Sequence, residues 1–94
     1  MRFYSRKEIL ETLAIDEGFV LALEREEILQ VDSTQDSALP YSERMLERVR
    51  VAYTLMHDLD VNLEGAAIIV RLREEIADLQ SQLGELARRL KTDL

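Results

Sequence analysis

The chain has 94 residues, 47% of them hydrophobic and 33% charged, which excludes simple disorder and predicts one small folded domain with an extended appendage. Its 19 acidic and 12 basic residues give a formal net charge of −7, which argues against general binding to nucleic acids or anionic membranes. The absence of cysteine excludes disulfides, thiolate zinc sites and cysteine nucleophiles.

Two short helices joined by a tight turn are predicted at the start of the chain. Ser5 and Glu8 form an S-x-x-E capping box, which predicts a helix over residues 6–13. Asp16 is the next N-cap candidate and predicts a second helix over residues 17–25. This order is the helix-turn-helix pattern.

The composition changes from helix-forming to turn-forming in residues 28–41. The polar tract 32–37 has turn chemistry, and apolar residues flank it on both sides. The only proline, Pro40, comes just before the next helix. The segment predicts a small β-hairpin, or wing, with a flexible tip.

Two further helices are predicted after the wing. Ser42 opens a third helix that continues to about Leu59, and Asn62 caps a fourth. In the fourth helix the apolar residues recur at alternating steps of three and four, which is the heptad repeat of a coiled coil. The repeat predicts homodimerisation through its a and d positions: Ile69, Leu72, Ile76, Leu79, Leu83, Leu86 and Leu90.

An alternative is that this last helix packs along its own domain. We favour an intermolecular coil, because about 25 residues of helix span roughly 38 Å, more than so small a domain can cover. The e and g positions form no ladder of opposite charges, so the pattern does not distinguish parallel from antiparallel pairing. We therefore divide the chain into a winged-helix domain at 1–65 and a coiled-coil helix at 66–94.

Residue types that support catalysis are sparse. His57 is the only histidine, lies on a polar helical segment, and is interpreted as a solvated surface residue. The three glycines lie far apart and form no phosphate-binding loop, and the acidic pairs fall on exposed helical faces. We predict a non-enzymatic protein with no metal site and no cofactor. Because the sequence contains neither a signal peptide nor an apolar run of about 20 residues, we expect a cytoplasmic location.

The charge of the second helix conflicts with DNA reading. Residues 16–32 hold six acidic side chains and one basic side chain, Arg25. A helix in a DNA groove needs lysine and arginine, because phosphate neutralisation supplies much of the affinity. The scaffold is therefore predicted to bind a protein instead.

The order of elements resembles the MerR-like winged helix-turn-helix family. Residues 4–10 are similar to the family's opening helix, 41–43 to its Y-S-E/D entry to the third helix, and 59–65 to its L-G-x-S/T-L-E-E joint. The resemblance implies a mostly α fold with a small wing hairpin and a long C-terminal coiled-coil helix. The arginines of DNA-binding members in the second helix and before the wing tyrosine are missing here, and so are the sensing cysteines of many members.

A closer resemblance is to the CbpM family of bacterial chaperone modulators. Residues 57–59 are similar to its H-E-L segment, 60–65 to its A-L-D-W-P-G joint, and 74–79 to its D-D-I-A-H-L segment. Leu63 and Glu64 replace the tryptophan and proline of that joint. The resemblance implies binding and inhibition of the J-domain of a DnaJ-like (CbpA-type) co-chaperone, which keeps it from stimulating Hsp70 and from binding DNA.

J-domains engage Hsp70 through a basic helix, so an acidic surface is the expected contact. The candidate contacts form two acidic clusters: Asp16, Glu17, Glu24, Glu26 and Glu27 at the second helix, and Asp58 and Asp60 at the last joint.

Two other hypotheses share the predicted fold. A MerR-type transcription regulator would bind DNA as a dimer, and a bare dimerisation module would have no further target. In the DNA-binding hypothesis, six basic residues line one face: Arg2, Arg6, Lys7, Arg44, Arg48 and Arg50.

Overall fold

The computed structural model describes residues 2–31 and 38–93, the last of these by its backbone alone. The elements are β1 (Phe3–Tyr4), α1 (Arg6–Leu13), α2 (Glu17–Arg25), β2 (Tyr41–Ser42), α3 (Glu43–Asp58) and α4 (Leu63–Asp93). The predicted fold class, mostly helical with a two-stranded antiparallel sheet and a long C-terminal helix, is confirmed. The division at residue 65 stays a prediction, since α4 runs through it without interruption.

Side-chain caps fix where the helices begin. The Ser5 Oγ accepts a hydrogen bond from the Glu8 amide at 3.1 Å, and Glu8 Oε1 accepts one from the Ser5 amide at 3.0 Å, which completes the capping box. Asp16 and Ser42 accept from the amides three residues onward at 2.7 and 3.3 Å. Asn62 Oδ1 accepts from the Gly65 amide at 2.7 Å. These caps satisfy backbone donors that have no partner within the helix.

The small sheet pairs two segments that are distant in sequence. β1 and β2 are antiparallel, with Phe3 opposite Ser42 and Tyr4 opposite Tyr41. The sequence predicted a hairpin formed within residues 28–41. The observed pairing differs: Tyr41, at the end of that segment, pairs with Tyr4 near the N-terminus. Both tyrosines are buried, so the strands join the starts of α1 and α3 over the core. The predicted tip, residues 32–37, lies outside the described residues.

The core lies where α1, α2, α3 and the first turns of α4 meet. Its fully buried residues come from all four helices and include Ile9, Val20, Leu23, Val49 and Ala66. Val70 is the last buried residue of α4, and beyond it the helix extends away from the core with its side chains mostly exposed. Among the described residues, no helix has the length and apolar character needed to cross a membrane.

Candidate protein-binding surfaces

The acidic excess of the chain lies entirely in its first part. Residues 1–65, called the head from here on, contain 7 basic and 14 acidic residues, whereas residues 66–94 contain 5 of each. The whole net charge of −7 therefore belongs to the head. A partner approaching the head meets a negative field.

The basic side chains that a DNA-binding head would use are paired with carboxylates. Such pairs hold cationic groups within 4 Å of acidic oxygens, so contact with DNA phosphate would require breaking them. The pairs are Arg2–Glu8 at 3.1 Å, Arg6–Glu17 at 2.6 Å, Lys7–Glu11 at 4.0 Å, Arg44–Glu74 at 2.6 Å, Arg48–Glu74 at 2.6 Å and Arg50–Glu47 at 2.9 Å. Within residues 2–31 and 38–65, Arg25 is the basic residue without an ion pair.

Arg6 joins α1 to both ends of α2. Its Nε donates to Glu17 Oε1 at 2.6 Å, and its Nη2 lies 2.7 Å from Glu24 Oε1 as an ion pair outside hydrogen-bond alignment. Its Nη1 also donates to the Tyr41 hydroxyl at 3.4 Å. Burial opposes the charged form, but the bond to Glu17 and the charge of Glu24 outweigh it and raise the pKa of Arg6. Glu17 and Glu24, two of the predicted partner contacts, are thus ion-paired within the chain.

A second ion-pair group connects α3 and α4. Glu74 accepts hydrogen bonds from Arg48 and Arg44, and these bonds, with Arg48 contributing most, lower the pKa of Glu74 to about 2 against the opposing effect of burial. Arg48 Nη1 also donates to the Ile28 carbonyl at 3.2 Å, and Arg71 Nη2 donates to the Glu26 carbonyl at 3.1 Å. The segment that follows α2 is therefore hydrogen-bonded to both α3 and α4.

The acidic contacts predicted from the sequence do not form one patch. Asp16 caps the start of α2, whereas Glu26 and Glu27 follow its last residue, about 13 Å away along a nine-residue helix. Asp58 ends α3, and Asp60 occupies the joint to α4 with a left-handed φ of 55°. Their role in binding stays a prediction, and Glu17 and Glu24 are the two already engaged by Arg6.

The outward face of α2 differs from that of a DNA-reading helix. In helix-turn-helix proteins the second helix enters the major groove. Here its exposed positions include Gly18, Leu21 and Arg25, and Leu21 is 47% exposed. Glycine and leucine offer no side-chain hydrogen bond to a base edge.

Sequence reasoning missed an aromatic group between α2 and α3. The Phe19 and Tyr53 rings meet edge to face with centroids 5.7 Å apart, and the Tyr53 and His57 rings stack at 4.6 Å. Together with Ile15, Asp16 and Met56 they line a hollow of about 330 Å³, which we call the aromatic hollow. The i, i+4 spacing of Tyr53 and His57 was the available signal, because residues four apart are neighbours on a helix.

The predicted dimerisation stripe is open to solvent along most of α4. Ile69 is half-buried against the head, and the remaining stripe residues are exposed, from 50% at Leu72 to 66% at Leu83. A row of exposed leucine and isoleucine this long is unfavourable in water for an isolated helix. The surface therefore fits the predicted coil, and dimerisation itself stays a prediction.

Comparison with known proteins identifies the family. The family model described as MerR HTH family regulatory protein matches residues 4–88. No curated protein and no solved structure matches the chain. Because the match extends from the first strand through most of α4, the chain belongs to the MerR helix-turn-helix family of regulatory proteins.

Proposed function

We propose that this protein is a non-catalytic, protein-binding regulator of the CbpM type, which binds the J-domain of a DnaJ-like (CbpA-type) co-chaperone and inhibits it. The observation that carries the proposal is the charge of the head: its basic side chains other than Arg25 are paired with carboxylates among the described residues, and an excess of acidic groups remains. A basic protein surface is the partner that such a head favours.

Charge complementarity accounts for how the partner is selected. Opposite charges speed the diffusional encounter and disfavour wrong partners more than they increase affinity. Occupying the basic helix of a J-domain would deny that helix to Hsp70. Among the predicted contacts, five carboxylates have no ion pair within the described residues: Asp16, Glu26, Glu27, Asp58 and Asp60.

The proposal includes a homodimer held by α4. The exposed stripe from Leu72 to Leu90 extends over about 27 Å of helix, and a second copy offers a matching apolar stripe. A dimer would present two acidic heads and bind two J-domains.

The test measures binding of the full chain to the purified J-domain of the cell's DnaJ-like co-chaperone by biolayer interferometry, together with J-domain-stimulated ATP hydrolysis by Hsp70. We expect binding, a slower association as salt rises, and loss of the stimulation. A J-domain that neither binds nor loses its stimulation of Hsp70 would refute the proposal.

A charge-reversal pair tests the acidic contacts. Glu26→Lys with Glu27→Lys should slow association at least about fivefold, because neither side chain has an ion pair among the described residues and the reversal inverts their contribution to the field. Glu75→Lys with Asp78→Lys makes the same change in net charge on the coiled-coil helix, at two carboxylates that also have no ion pair among the described residues, and should have a smaller effect. Equal slowing by both pairs would assign the effect to net charge alone. Glu17 and Glu24 are unsuitable for reversal, since they hold Arg6.

The second candidate is a MerR-type DNA-binding transcription regulator, and family membership favours it. DNA binding would require the ion pairs of the head to break, because Arg25 is the basic residue that α2 itself supplies.

A further inference from the structure

The aromatic hollow lies at the meeting point of the start of α2 and the end of α3. Its lining joins three rings, those of Phe19, Tyr53 and His57, to the carboxylate of Asp16. Phe19 and Tyr53 are half-buried, whereas His57 and Asp16 are exposed at the rim. The hollow is thus open to solvent, with aromatic walls and an acidic edge.

We propose that the aromatic hollow is an anchoring site for an arginine side chain of a protein partner. Aromatic rings attract cations through the negative charge of their π-faces, and arginine also packs flat against a ring. The inference rests on the proposed protein-binding function for the identity of the partner, and adds the residue type by which that partner is held.

The electrostatic surroundings favour a cation. One Asp16 oxygen caps the Phe19 amide at 2.7 Å, so the partial positive charge at the start of α2 is offset by a full carboxylate charge. Met56 and His57 belong to the last turn of the 16-residue α3, where the helix dipole is negative. The head around the hollow carries the net charge of −7.

The size and shape also fit a guanidinium. A hollow of about 330 Å³ accepts one long side chain and is too small for a whole helix. An uncharged apolar side chain would fill the same space but would give the Asp16 carboxylate no cation to pair with, beyond the Phe19 amide that it already accepts from. A guanidinium can pack against the aromatic rings and also pair with the Asp16 carboxylate.

The first experiment uses the full chain and a small probe. Acetyl-arginine amide is titrated against the ¹⁵N-labelled protein at low salt, with acetyl-citrulline amide as the uncharged probe of the same shape. We expect saturable shifts at the amides of Asp16, Phe19, Tyr53 and His57 with arginine alone. Equal shifts with citrulline, or shifts spread evenly over the acidic surface, would overturn the inference.

Matched variants locate the effect at the rings. Tyr53→Ala should weaken binding of the arginine probe about two- to fivefold, since an exposed cation–π contact contributes about 0.5–1 kcal/mol. Tyr53→Phe keeps the ring and should bind within about twofold of the wild type. His57→Lys adds a cation to the lining and should abolish saturable binding. Unchanged binding in Tyr53→Ala would contradict the proposal.

The J-domain measurement separates this inference from the proposed function. If the J-domain fails to bind while the arginine probe still saturates the hollow, the proposed function fails and the arginine site stands. If the J-domain binds equally well to the wild type and to Tyr53→Ala, and the arginine probe does not bind, the arginine site is refuted and the proposed function stands.

Discussion

Arg48 of α3 and Glu74 of α4 form a two-bond ion pair, with Nε 2.7 Å from Oε2 and Nη2 2.6 Å from Oε1. The pair is largely shielded from solvent, with side-chain exposures of 12% and 24%. It lies one turn beyond Val70, where α4 leaves the core, so it holds the base of the long helix against the head. The same guanidinium binds the Ile28 carbonyl, which links α4 to the end of α2.

The first prediction is a loss of stability in acid that depends on Glu74. The folded-state pKa of Glu74 is lowered from 4.5 to about 2, so its stabilisation is complete above about pH 5 and is lost as the pH falls through about 2. The lowered pKa corresponds to about 3 kcal/mol. Urea unfolding across this pH range should show the loss, and Glu74→Gln should both lower stability at neutral pH and flatten the pH dependence. The exposed neighbour Glu75→Gln serves as the control, and an unchanged pH profile in Glu74→Gln would contradict the assignment.

The second prediction concerns assembly through α4. We expect a dimer by light scattering, because the exposed stripe of leucine and isoleucine is buried when two copies pair. Leu79→Asp places an unpaired charge in the seam and should give monomers or unfolded chains. Ser81→Asp introduces the same charge on the opposite side of the helix and should remain dimeric. A wild type that is monomeric at about 100 µM would refute this prediction, since a coil of three heptads should associate well below that concentration.

The third prediction is that DNA binding is undetectable. The head carries seven more acidic than basic residues, and its basic side chains other than Arg25 are in ion pairs among the described residues. Fluorescence anisotropy with random duplexes at low salt should show no saturable binding, even in the non-specific range of about 10⁻⁴–10⁻⁶ M. Tight, salt-sensitive binding to a genomic fragment at about 150 mM salt would favour the transcription-regulator alternative. Loss of that binding in Arg25→Ala would then implicate α2.

The fourth prediction uses the left-handed residue that ends α1. Ala14 has φ of 53° and ψ of 45°, and its amide donates to the Leu10 carbonyl. Glycine adopts this conformation without the steric cost that a Cβ imposes, so Ala14→Gly should stabilise the fold by up to about 1 kcal/mol. Ala22→Gly, inside α2, should instead destabilise it by about 1 kcal/mol. Thermal unfolding of the two variants measures the difference, and a destabilised Ala14→Gly would contradict the argument.

The sequence alone was sufficient for the helices and the stripe. Ser5, Asp16, Ser42 and Asn62 cap the helices that their positions predict, because a cap binds an amide three residues away. The spacing from Ile69 to Leu90 depends only on the pitch of one helix. Signals that act over fewer than about seven residues are visible before the chain is folded.

Only the tertiary structure decided which charges are free and which are paired. Arg6 and Glu17 are 11 residues apart, and Arg44 and Glu74 are 30 apart, so no local pattern predicts their contact. The strand pairing of Tyr4 with Tyr41 and the meeting of Phe19 with Tyr53 depend likewise on how the helices pack over a shared core. The acidic residues that look equivalent in the sequence therefore separate into those that form ion pairs within the fold and those that form none among the described residues, because ion pairs depend on distances in space and not along the chain.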